Sequence, residues 1–175
     1  QRVVAVDQQP INRTSHSNAT TYTGLLAPIR RLYAELPQAR MRAYKAAHFS
    51  FNSAEGACVS CGGSGIHVSR QGAFEDFQVE CRSCAGCRYR AEVLDVRFRG
   101  RSIAEVLEMS VGEALAFFEA IPAVAQRLRL LSEVGLGYLH LGQSTTSFSG
   151  GEAQRVKLAA ELGRPRQGQT LYLLD

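Results

Sequence analysis

The chain is almost without lysine: Lys45 and Lys157 are its only two, against 18 arginines in 175 residues. Arginine carries a planar fork suited to bidentate phosphate contacts. A GC-rich coding sequence produces the same bias, so the scarcity alone leaves both readings open. No stretch of about 18 apolar residues occurs, which removes a membrane-spanning helix. Internal repeats and low-complexity tracts are missing too. No Gly-x-x-x-x-Gly-Lys-Ser/Thr loop is present, and neither lysine lies among glycines. The usual backbone cradle for nucleotide phosphates is therefore lacking. The first residues, Gln1-Arg2-Val3-Val4-Ala5-Val6-Asp7, show neither a secretory pattern nor an initiator Met. They and the last residues, Leu171-Tyr172-Leu173-Leu174-Asp175, read as core-type strands. Such ends suggest a piece of a longer, cytoplasmic protein.

Hydrophobic residues make up 45% of the chain, enough to bury a core. The net charge of +4 and pI of about 9.0 are only mildly basic and do not establish nucleic-acid binding. Val3–Val6 reads as a short buried strand, followed by a polar loop to about Thr21. Gly24–Leu36 has Leu25, Ile29, Leu32, Tyr33 and Leu36 at helical spacing. Glu92–Phe98 alternates and reads as a half-buried strand. Ser102 with Glu105, and Ser110 with Glu113, form capping-box patterns that predict helices over 103–109 and 111–121. Pro122 opens a further helix to about Val134, and Gly135 stops it. Ser149 introduces another over 151–162, and Thr170–Leu174 is the last strand. The sum is an α/β fold with a helical portion and a small insert.

Between about Phe49 and Tyr89 glycine and cysteine become dense. Cys58-Val-Ser-Cys61 and Cys81-Arg-Ser-Cys84 are two CxxC pairs separated by 19 residues. Each such turn can place two thiolates on one tetrahedral Zn2+, and two turns joined by a hairpin close the shell. Gly62, Gly63, Gly65 and Gly86 supply tight turns beside the metal. A closed four-thiolate shell implies a structural zinc that stiffens a segment too small for its own core. Disulfides and redox thiols are the competing uses of these cysteines. Cys84-Ala-Gly-Cys87 is a third CxxC that could shift the second ligand pair by three; Cys58, Cys61, Cys81 and Cys84 are the favoured set, with Cys87 a spare thiol.

The second dense region is Phe148-Ser149-Gly150-Gly151-Glu152-Ala153-Gln154-Arg155. A Ser-Gly-Gly turn leads straight into a helix, where a hydroxyl, bare backbone N–H groups and the positive helix end can approach an oxyanion. A plain Ser N-cap is the commoner use of such residues. The setting favours a phosphate: four apolar residues ending in Asp175 follow about 20 residues later, as where an Asp orients Mg2+. The motif resembles the signature sequence of ABC ATPases.

Further stretches extend that likeness. Asp7-Gln8-Gln9-Pro10-Ile11, Arg13-Thr14, Ser17-Asn18, Thr21-Tyr22-Thr23-Gly24, Phe49-Ser50-Phe51-Asn52, Arg88-Tyr89, Val134-Gly135-Leu136-Gly137-Tyr138 and Leu141-Gly142-Gln143 together resemble the C-terminal half of the UvrA family of ABC ATPases. The resemblance implies a fragment of an ABC-type P-loop NTPase domain with a helical signature subdomain and an inserted four-cysteine zinc hairpin. Its pieces would be 1–11, the end of the ATP-binding lobe; 12–50 and 90–163, the signature subdomain; 51–89, the zinc insert; and 164–175, the return to the core. Gln8 would be the Q-loop glutamine. Ser149, Gly150, Gly151, Glu152 and Gln154 would face ATP, and Asp175 would be the Walker B aspartate. Cys58, Cys61, Cys81 and Cys84 would hold Zn2+, and Arg13, Arg88 and Arg90 would meet DNA. The whole protein would be a dimeric ATPase and excinuclease subunit that reads damaged double-stranded DNA and meets UvrB through a region outside this chain. ATP and Mg2+ would be its cofactors, and the isolated chain is expected to be inactive. Phe148 stands where the signature usually has Leu, Phe74-Glu75-Asp76 departs from the family's hairpin, and Cys87 stands where lysine is common. A non-catalytic zinc adaptor or a UvrA-like paralogue in drug resistance is the alternative.

Overall fold

The structure is a computed structural model that describes residues 2–11, 17–69, 77–164 and 168–174. In chain order the elements are β1 (Arg2–Val6), α1 (Ala19–Tyr22), α2 (Leu26–Glu35), α3 (Pro37–Met41), β2 (Ile66–Ser69), β3 (Phe77–Glu80), α4 (Ala91–Leu94), α5 (Ile103–Leu107), α6 (Val111–Phe117), α7 (Pro122–Glu133), α8 (Gly150–Leu162) and β4 (Thr170–Leu174). The fold is mixed α/β. Two compact units divide the chain: Gln1–Pro28 with Leu107–Asp175, and Ile29–Val106. The expected zinc insert, 51–89, falls wholly inside the second unit. Both pieces assigned to the ATP-binding core, 1–11 and 164–175, fall inside the first.

In the first unit β1 and β4 run parallel, with Val4 opposite Tyr172 and Val6 opposite Leu174. Parallel neighbours need a long crossover, and the helical segments between them in sequence supply it. The sequence predicts buried strands here, but only Val6 of β1 is buried, while Val3, Leu171, Leu173 and Leu174 are each more than half exposed. Apolar composition marks residues fit for a two-sided sheet. Among the described residues the sheet has two strands, so the covering layers are largely lacking.

Helix α7 buries Val124, Ala125, Leu128 and Leu131, a three-four spacing that gives one apolar stripe. It ends where Gly135 takes φ +81° and the Leu136 N–H reaches back to Leu131 O at 3.0 Å. Helix α6 starts on the predicted Ser110–Glu113 capping box. It stops at Phe117 instead of Ile121, with Phe118 as its C-cap at φ −101°, ψ 17°, and Ile121, before Pro122, lies outside the helical region at φ −113°, ψ 88°. The first free N–H groups of α6 bind the loop that follows α7: Val111 donates to Leu139 O and Gly112 to Gly137 O, both at 2.9 Å. Leu136, Leu139 and Leu141 of that loop are fully buried.

The second unit packs Ile29, Tyr33, Phe49, Phe51, Tyr89, Val93, Val96, Ile103 and Val106 into its interior. Aromatic contacts organise it, with Phe51 edge-on to Tyr89 at 5.8 Å and Tyr33 beside Phe49 at 5.6 Å. The buried Tyr33 hydroxyl donates to Arg101 O at 2.7 Å, so its polar end is satisfied. The predicted strand over Glu92–Phe98 is not formed. The helical turn α4 stands at its start and buries Val93, and Val96, just past the turn, is buried three residues on. Seven residues of alternating character could serve either period, and packing chose the helical one. Ser102 and Glu105 form the predicted capping box, with Ser102 N–H to Glu105 Oε2 at 2.7 Å, although α5 ends at Leu107 instead of Met109.

Candidate functional site

The Ser149-Gly150-Gly151 turn lies at the surface of the first unit, with Ser149 and Gly151 exposed and Gly150 half-buried. It opens α8. Ser149 has extended backbone (φ −66°, ψ 160°) and its Oγ accepts from the Glu152 N–H at 3.3 Å. Glu152 returns the cap, with Oε2 accepting from the Ser149 N–H at 2.8 Å. This cap holds the Glu152 carboxyl below its usual range, with the Tyr138 hydroxyl as the next cause. A side chain added at Gly151 would meet nothing within 4 Å, so one side of the helix start stands open. Helix α8 rests on Ala153, Val156 and Ala159, which are small or branched and fully or nearly buried.

The loop after β1 is fixed to this helix. A side chain on Gly150 would come within 3.1 Å of Gln8 Oε1, so Gln8 packs directly against the turn. Gln154 Nε2 donates to Val6 O at 2.8 Å, which ties α8 to the end of β1. The Lys157 ammonium binds Asp7 Oδ1 and donates to Gln9 O at 2.6 Å. Its hydrogen bond is the leading cause of a lowered Asp7 pKa. Gln8, Ser149, Gly150, Gly151, Glu152 and Gln154 thus come together, with Gln154 directed to β1. Asp175 and Arg13 lie outside the described residues. Sequence reasoning missed Lys157 and Tyr138, whose hydroxyl donates to Glu152 Oε1 at 2.7 Å. The partners of Lys157 lie about 150 residues away, and no local pattern betrays them. Gly135 and Gly137, just before Tyr138, are the one hint the sequence offers.

In the second unit the Sγ atoms of Cys58, Cys61, Cys81 and Cys84 all lie within 4.8 Å of one another. A tetrahedron with metal–sulfur bonds of about 2.3 Å has edges of about 3.8 Å, and Cys61 Sγ lies 3.8 Å from Cys84 Sγ. The donor set fits a zinc ion. The Gly65 N–H points at Cys61 Sγ at 3.3 Å, a bond that would orient a thiolate. Burial, then hydrogen bonds with Cys81, Cys61 and Cys58, pushes Cys84 up, while Cys81 is brought down, against its own burial, by hydrogen bonds from Cys84; a bound cation favours the thiolate form of all four. Gly62, Gly63, Gly65 and Gly86 all take positive φ, between +60° and +85°. At Gly63 no side chain fits, since a Cβ would strike Phe51 O. The antiparallel strands β2 and β3, with Ile66 opposite Glu80, form the arm between the two CxxC turns, and Cys81 N–H donates to Gly65 O at 2.9 Å at its base. Cys87 stands apart from the four-thiol group, its Sγ 3.6 Å from Ala85 O.

The two described arginines of the expected DNA face already make contacts within this unit. Arg88, at φ +70°, lays its guanidinium 5.3 Å from the Phe51 ring centre. Arg90 donates from Nη2 to Ala54 O at 2.8 Å and from Nε to Ala57 O at 3.3 Å. Among the described residues no helix is long and apolar enough to cross a membrane.

No protein-family model matches the chain. It is 54% identical over 174 residues to UvrABC system protein A of Methanothermobacter thermautotrophicus, covering 99% of this chain and 18% of that protein. UvrABC system protein A of Thermus thermophilus is 51% identical with the same coverage of both. The crystal structure of UvrA2 from Deinococcus radiodurans matches with a TM-score of 0.90 at 48% identity, over 98% of this chain and 21% of that one. The chain spans about a fifth of the length of the relatives it matches. Over the stretch it spans, including the Ser-Gly-Gly turn and both CxxC pairs, it belongs to the UvrA family.

Proposed function

We propose that this chain supplies the signature turn and the zinc module of a cytoplasmic, UvrA-like ATPase that recognises damaged double-stranded DNA in nucleotide excision repair. The observation that carries the reading is the exposed, capped start of α8, with Gln8 packed on Gly150. In the proposed mechanism the whole protein is a homodimer, and this turn closes over ATP held by the phosphate loop of another nucleotide-binding unit. The N–H groups of Gly150 and Gly151 bind the terminal phosphate, the Ser149 hydroxyl joins them by turning from Glu152, and Gln8 couples the nucleotide state to the inserted domain. Asp175 would be the residue that orients Mg2+, which would supply positive charge at the phosphates. Zn2+ on Cys58, Cys61, Cys81 and Cys84 acts as a brace and supplies no chemistry of its own. Arg13, Arg88 and Arg90 would each contribute a contact to DNA phosphates, Arg90 through the N–H donors that its two carbonyl contacts leave over. Duplex shape and deformability, not base sequence, is what such a surface reads. UvrB docks on a part of the protein outside this chain, and the isolated chain does not turn over ATP.

Photolabelling tests the central step. In the full-length protein with Mg2+ and an ATP analogue carrying an azidoanilide on its γ-phosphate, the label is expected on the peptide carrying Phe148–Gln154. Labelling confined to other peptides, at saturating probe, would overturn the reading.

A further inference from the structure

Behind the phosphate-facing turn the capping-box carboxylate takes a further bond, from outside its own helix. Glu152 Oε2 accepts from both the N–H and the hydroxyl of Ser149, at 2.8 and 3.0 Å. Its other oxygen, Oε1, accepts from the Tyr138 hydroxyl at 2.7 Å. Arg155 Nη2 donates in turn to the Tyr138 oxygen at 3.4 Å, and Arg155 Nε to Gly151 O at 3.3 Å. A carboxylate in the first turn stabilises a helix, but the same field attracts an anionic ligand to the same N–H groups. Two unit negative charges about 4 Å apart oppose binding on the order of a thousandfold at an effective dielectric of about 20. A glutamate here is compatible with a phosphate only if it is held back and its charge is offset.

We propose that Tyr138 is the positioning residue that does this. Its hydroxyl fixes the Glu152 oxygen that Ser149 leaves over and links it to Arg155, so that the open side of the turn presents N–H groups to a terminal phosphate. This rests on the function proposed above. Tyr138 is 58% exposed, so packing does not explain its place. Its backbone is set in advance, because Gly137 O and Leu139 O, on either side, each accept an N–H from the start of α6. The bonds perturb both partners: the Glu152 carboxyl titrates lower and the Tyr138 phenol higher than usual.

A double-mutant cycle on the ATPase of the full-length protein tests the proposal. Tyr138→Phe keeps the ring and removes the hydroxyl. It is expected to raise KM for ATP about tenfold with kcat little changed, the loss of one charge-assisted bond. In a Glu152→Gln background the same change is expected to alter KM less than about twofold, whatever Glu152→Gln does by itself. An equal effect in both backgrounds, or no effect in either, overturns the role of Tyr138. Gly151→Asp separates the two levels. If it leaves KM unaltered, no phosphate faces the turn and the underlying reading fails as well. If it raises KM while Tyr138→Phe does not, only the positioning role fails.

Discussion

Replacing Gly151 with Asp sets folding against function, and the two respond in opposite directions. Gly151 is the second residue of α8, has open space where a Cβ would go, and does not take positive φ. Asp is a slightly better helix residue than Gly, by about 0.3 kcal/mol, and a carboxylate in the first turn adds roughly 0.3–1 kcal/mol. Glu152 is already there and offsets part of the gain, so the net change in stability is between zero and about 1 kcal/mol in favour of the folded state. A phosphate about 4 Å from the new carboxylate loses about 4 kcal/mol per charge pair at an effective dielectric of about 20. Binding falls on the order of a thousandfold while the melting temperature holds or rises. Gly151→Asn has the same shape without the charge and isolates it. The assay is ATP turnover of the full-length protein beside thermal melting of the same samples. Equal turnover for the Asp and Asn variants, both near the unsubstituted protein, would refute the placement of a phosphate at this turn.

Three further outcomes are expected. Serine at Cys58, Cys61, Cys81 or Cys84 reduces bound zinc, measured by atomic absorption, from one equivalent toward none, whereas Cys87→Ser retains it; loss at Cys87 with retention at Cys81 would shift the ligand set. Gly63→Ala combines positive φ with a Cβ driven into Phe51 O, and costs about 3 kcal/mol or more, seen as lost hydrogen-exchange protection in the Cys58–Arg88 segment. Glu105 and Glu152 have carboxyl pKa values lowered first by the N–H groups they cap, so each contributes stability above the unfolded-chain value, about 4.3, that is lost as pH falls through the folded value. Acid melting of Glu105→Gln should show a shallower loss between about pH 5 and 3 than the unsubstituted protein; an unchanged slope would remove Glu105 from that account.

Local chemistry decided much of this protein in advance. The capping boxes at Ser102, Ser110 and Ser149, the stop at Gly135, the positive-φ glycines of the CxxC turns and the spacing of four cysteines each depend on residues a few positions apart, and each is present. The sequence also narrowed the choice of ligands: Cys84-x-x-Cys87 and Cys81-x-x-Cys84 are equal as text, and chain geometry grouped Cys81 with the other three thiols and left Cys87 aside. Tertiary structure settled what has no local cause. It replaced the strand expected over Glu92–Phe98 with a helical turn that ends at Leu94, with Val93 and Val96 both buried in the second unit. It brought Lys157 to Asp7 and Gln154 to Val6 across about 150 residues, locking the Gln8 loop to α8. And it set Tyr138 against Glu152, a contact that depends on α6 gripping the loop backbone on both sides of the tyrosine. Short-range hydrogen bonds and dihedral preferences are written into neighbouring letters; which distant surfaces meet is fixed only when the whole core closes.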